Sequence, residues 1–194
     1  MDSEYKGPLT VGNQCDHDLA QALWRGQACL AIDSIQFGDG TVALLTYHEP
    51  LTAHASILSV IRRCTWLTVI VERLGNPLHS ATLSQVDCMA EIATTLEGHE
   101  LRIECGECGG HGSFGYVAVE VKREALSNEL LWVAFFCRSN PFDSLSIDGG
   151  ELHALSTCGY RYSFQLCDPT CVSVQKREDL MWWGSEGKDE VGLT

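Results

Sequence analysis

Between Glu100 and Val174 the chain repeats one pattern: a short β-branched or aromatic run, then a turn signal. The runs are Glu100–Cys105, Phe114–Lys122, Leu130–Cys137, Leu145–Ile147, Glu151–Thr157, Tyr160–Leu166 and Cys171–Val174. Ser127-Asn128, Asn140-Pro141, Asp148-Gly149-Gly150, Gly159 and Asp168-Pro169 separate them. Segments this short, joined by turns too tight for crossover helices, pair with their sequence neighbours, so the second half predicts a meandering antiparallel sheet.

The first half is mixed. Leu19, Ala22 and Leu23 recur at helical spacing over 13–26 and Gly26 supplies a stop. A hairpin follows, with strands over Cys29–Phe37 and Thr41–His48 around Gly38-Asp39-Gly40. Residues 50–63 read ambiguously, with Ile57, Leu58 and Ile61 favouring a helix, and the alternation in Thr65–Leu74 favours a strand. A helix is predicted over Leu83–Leu96, where Thr82 and Gln85 are spaced as a capping box and Val86, Met89, Ile92 and Leu96 form one stripe. The expected fold class is therefore α+β: mainly antiparallel meander sheet, with two or three helices mostly in the N-terminal half. One domain is expected over 1–184, with a small, charged, disordered tail over 185–194.

Charge narrows the function. Lys plus Arg number 13 against 26 Asp plus Glu, a net charge of −13. A field of that sign repels phosphate backbones and anionic membranes, and favours a basic partner. The N-terminal residues Met1-Asp2-Ser3-Glu4 are acidic where a secretory signal would be basic, and no apolar run is long enough to span a bilayer. A cytoplasmic protein is expected, its ten cysteines mostly free thiols.

Motif chemistry is sparse. Cys105-x-x-Cys108 offers two thiolates with the bite of a zinc knuckle, and Cys167-x-x-x-Cys171 or His111 would have to complete the tetrahedron. From Cys105 to Gly112 the order Cys-x-x-Cys-x-Gly-x-Gly resembles one unit of the cysteine-rich region of DnaJ chaperones, which implies zinc. Gly110-His111-Gly112-Ser113-Phe114-Gly115-x-Val117 resembles the glycine-rich loop of protein kinases. Lys122 follows too soon to reach a third strand, however, and no catalytic-loop or metal-binding kinase sequence follows. No nucleophile–base–acid constellation is signalled, and catalysis is the minority reading.

The expectation is a non-catalytic acidic binding protein, of the immunity or inhibitor type, that occludes the active site of a basic bacterial toxin. Zinc-stabilised adaptor and small enzyme are the alternatives. Candidate contacts are Asp16, Asp18, His111, Trp182 and Trp183, while Trp24, Trp66 and Trp132 fall in periodic segments and are expected in the core.

Overall fold

A computed structural model describes residues 14–48, 55–69, 85–98, 100–108, 114–123 and 127–177, with backbone alone over 85–94 and at 97. Helix α1 (Gln14–Arg25) is followed by strands β1 (Ala28–Leu30), β2 (Ser34–Phe37), β3 (Thr41–Tyr47) and β4 (Ala55–Thr65). Next come β5 (Gln85–Glu97), β6 (Leu101–Cys108), β7 (Phe114–Val121) and β8 (Glu129–Phe136). The last four are β9 (Phe142–Asp148), β10 (Glu151–Ser156), β11 (Tyr160–Gln165) and β12 (Asp168–Lys176). All pairings are antiparallel, in the order β1-β5-β6-β7-β8-β2-β3-β4-β12-β11-β10-β9. Strand β9, at one end of this order, returns to lie against β5 and β6 near the other, so the sheet curls into a nearly closed barrel. The antiparallel sheet dominates, and among the described residues the helical elements are α1 and a single turn over 66–69.

Three expectations for the first half are corrected. Residues 83–96 do not make a helix: from Gln85 onward they form β5, paired with β1 through Ala28↔Asp87 and with β6 through Glu97↔Arg102. Val86, Cys88, Ala90, Ile92, Thr94 and Leu96 also alternate at period two, and ladders on neighbouring strands settle a sequence that satisfies both periods. Over 50–63, the described residues from Ala55 onward are strand β4. A helix would place Ile57, Leu58 and Ile61 on one face, whereas the strand buries Leu58 to 3% exposure and leaves Ile57 and Ile61 at 62% and 64%. In the expected strand over 65–74, residues 66–69 are instead helical, and 70–74 lie outside the described residues. Thr65 caps that turn by accepting from Thr68 N at 3.2 Å, while Leu67 N donates to Asp16 Oδ1 at 3.4 Å.

Alternation along β7, and along β8 from Trp132 onward, builds two layers of core, and a register shift between Leu130 and Trp132 puts those two on opposite sides. Val117, Val119, Trp132, Ala134 and Phe136 point into the barrel with Phe142, Leu152, Tyr162, Phe164 and Val174. Ring contacts fill that interior: Phe136–Tyr162 at 4.8 Å between centroids, Phe142–Tyr162 at 5.1 Å and Trp132–Phe164 at 5.5 Å. On the outer side, Tyr116, Ala118, Leu130, Val133 and Phe135 pack under Trp24 and Cys29. Trp66 joins Ala20, Leu30 and Val42 in a third cluster beneath the helical turn. The three periodic tryptophans are thus all core. Helix α1 is fastened by Gln21, whose amide donates to Gly38 O (3.1 Å) and Leu130 O (3.0 Å) and accepts from Leu130 N (3.0 Å).

Candidate functional site

Where β7 and β8 are covered on both faces, β9–β12 are covered on one. Their inward positions enter the barrel core, leaving Ser144, Ser146, His153, Arg161, Ser173 and Gln175 among the outward ones. Register aligns these into rows across the wall: Ser144, Leu155, Arg161 and Gln175 in one, Ser146, His153, Ser163 and Ser173 in the next. The short serines form a low floor between longer neighbours. The result is a cleft of about 410 Å³ lined by Ser144, Ser146, His153, Leu155, Arg161, Gln175, Lys176 and Arg177.

The cleft is cationic in an acidic protein. Three of the chain's 13 Lys and Arg residues line it. Arg161 is oriented by an uncharged partner, donating from Nη2 to Gln175 Oε1 at 2.6 Å, which fixes the guanidinium without neutralising it. Lys176 sits exposed where β12 ends, opposite Tyr160. His153 is held by Ser163, with 2.8 Å between Nδ1 and Oγ, and its Nε2 lies 3.9 Å from Glu151 Oε2. Farther along the same wall the sign reverses at Asp148 and Glu151, and Gln165 hydrogen-bonds Glu151.

Perturbed titratable groups lie elsewhere and are held by internal partners. Burial pushes the Glu104 carboxyl up despite the Arg102 guanidinium 2.5 Å away. Burial likewise raises Asp33, which accepts from Cys137 N at 2.7 Å. Tyr47 and Tyr162 meet hydroxyl to hydroxyl at 3.3 Å, and burial drives both phenols upward. None of these groups lines the cleft.

The expected site residues are dispersed. Asp16 is 3% exposed, faces Leu67 N and abuts Gly40. Asp18 is exposed on α1, where hydrogen bonds from His17 and Gln14 hold its carboxyl below the ordinary range. Cys105 and Cys108 are both on β6, and three residues along a strand reverses the side: Cys105 is in the barrel interior, Cys108 in the outer cluster under Trp24. That placement removes the knuckle bite, and Gly106–Cys108 is paired strand. Cys167 and Cys171 are exposed around the β11–β12 turn; burial, then the nearby Asp168 carboxylate, raises the Cys171 thiol. The four cysteines do not converge, and among the described residues no group of three or more His, Cys, Asp or Glu is placed to hold a metal ion. His111, Trp182 and Trp183 lie outside the described residues. Among those residues, no helix is long and apolar enough to cross a membrane.

No family model matches this chain, and comparison with curated proteins and with solved structures finds no significant match.

Proposed function

We propose that this chain is a non-catalytic binding protein whose contact surface is the outer wall formed by β4, β12, β11, β10 and β9. The observation that carries this reading is the cationic cleft built on a barrel whose interior is filled by side chains. Beside it, Ile57 pairs with Ser173 and extends the serine row onto β4, where Ile57 and Ile61 are the most exposed large apolar side chains among the described residues. Apolar anchors next to oriented charges are the usual makeup of a contact surface, the anchors supplying affinity and the charges register.

Ile57→Asp and Arg161→Glu should each weaken partner capture from the native host at least tenfold while leaving the melting temperature unchanged. The captured protein is then purified and the complex rebuilt from two components. A rebuilt complex indifferent to both substitutions would refute the assignment of the face.

Net charge carries a second reading, in which the chain is an immunity-type inhibitor acting in the cytoplasm. Exposed Asp18, Asp39, Asp143 and Asp148 would then meet the basic active-site cleft of a toxin and occlude it. The thiols of Cys29, Cys105 and Cys108, packed as small apolar groups, fit a reducing compartment. This reading expects a complex with a basic toxin that weakens more than tenfold between low and moderate salt; affinity independent of salt would exclude it.

A further inference from the structure

Resting on the assignment of the β9–β12 wall as the contact surface, we propose that its cleft takes a phosphomonoester group. Charge is the first argument. Among the described residues no ion pair joins Arg161 or Lys176 to a carboxylate, and both line one small opening. A carboxylate would offset one of those charges; a phosphomonoester carries about −1.5 to −2 near neutral pH.

Donor geometry is the second argument. A tetrahedral oxyanion presents three terminal oxygens, and the cleft offers a guanidinium already oriented by Gln175, an ammonium, and the exposed serines Ser144 and Ser146. Size is the third. About 410 Å³ lies toward the small end of ligand clefts, enough for a phosphorylated side chain or small metabolite. The net charge of −13 then selects against polyanions. Over distances beyond the screening length of about 8 Å the protein repels a nucleic-acid backbone, while a group seated in the cleft feels Arg161 and Lys176 at contact range.

The test uses the purified chain, calorimetry and four probes: inorganic phosphate, O-phosphoserine, a phosphoserine pentapeptide, and the same peptide with glutamate at the phosphorylated position. Saturable binding of at least one phosphorylated probe is expected below about 1 mM. The glutamate peptide should bind at least tenfold more weakly than the phosphopeptide, and Arg161→Gln and Lys176→Gln should each weaken phosphate-probe binding at least tenfold with unchanged circular dichroism. A phosphopeptide tighter than O-phosphoserine assigns the group to a partner's side chain; equal affinity assigns it to a small metabolite. Absence of saturable binding by every phosphorylated probe up to about 10 mM overturns the proposal, as does binding that neither substitution changes, or a glutamate peptide of equal affinity. If phosphate binding fails while Ile57→Asp still disrupts the rebuilt complex, the phosphate inference falls and the docking surface stands.

Discussion

Gly38→Ala is expected to destabilise the barrel severely. Gly38 follows β2, and its N–H donates to Leu131 O at 2.9 Å, so its Cα is pressed against β8. A Cβ there would lie 1.8 Å from Leu130 O, 2.8 Å from Leu130 C and 2.6 Å from Gln21 Nε2. The first two are backbone atoms of a central strand and cannot step aside. Relief requires β2 and β8 to separate, which would also break the amide clamp of Gln21 on Gly38 and Leu130. Overpacking alone costs about 1–3 kcal/mol and the orphaned buried amide about 1–3 more. Together, at about 2–6 kcal/mol, these reach the low end of the roughly 5–15 kcal/mol by which such a domain is stable. Gly149→Ala is the control: its φ is +56° but nothing lies within 4 Å of the added Cβ, so only backbone strain of about 1–2 kcal/mol is incurred. Soluble yield, far-UV circular dichroism and urea unfolding separate the two variants. A Gly38→Ala protein that unfolds at the wild-type urea midpoint would mean that β2 and β8 are not in this contact.

That contact shows what the sequence could and could not convey. Turn chemistry and period two from Glu100 onward were sufficient for the meander, because β6–β7, β7–β8, β9–β10, β10–β11 and β11–β12 are pairings between sequence neighbours. The pairings that join the successive meanders into one sheet, β2 with β8 and β4 with β12, link strands about 100 residues apart and leave no local trace. Segments 55–65 and 85–97 were misread for the same reason: each carries apolar residues compatible with two periods, and a distant partner chooses. The cleft was hidden more thoroughly. Arg161, Gln175 and His153 are visible as outward positions of alternating strands, but only the register Leu155↔Arg161↔Gln175 makes them neighbours. Conversely, Cys105-x-x-Cys108 is conspicuous in sequence because a turn is assumed; on an extended strand its two thiols enter different cores.

Glu120→Ala should lose about 2–3 kcal/mol at neutral pH, the consequence of removing the acceptor shared by a buried indole N–H and a part-buried guanidinium. Glu120 stands opposite Arg102 in the β6–β7 ladder, with its side chain 9% exposed. It accepts from Trp24 Nε1 at 2.6 Å, Arg102 Nη1 at 2.7 Å and Asn128 Nδ2 at 3.1 Å, tying α1 and the start of β8 to the barrel wall. Alanine would strand the Trp24 N–H and leave Arg102 with Glu104. Burial acts to raise the Glu120 carboxyl, but the three hydrogen bonds, Trp24's foremost, outweigh it and hold the group below its ordinary 4.5. A depressed carboxyl contributes stability that is present above 4.5 and lost as pH falls through its folded value. Glu104 runs the other way: its raised folded value favours the protonated form, so its contribution is present below 4.5 and lost as pH rises through that folded value. Glu120→Gln should therefore differ most from wild type at pH 7 and converge on it in acid. Glu104→Gln should gain on wild type as pH rises above 4.5. Urea unfolding of both variants from about pH 2.5 to about pH 8 reads these slopes, and a Trp24→Phe, Glu120→Ala double-mutant cycle isolates the indole bond. A Glu120→Ala loss under about 1 kcal/mol, equal at every pH, would show that Arg102 and Trp24 are satisfied without it.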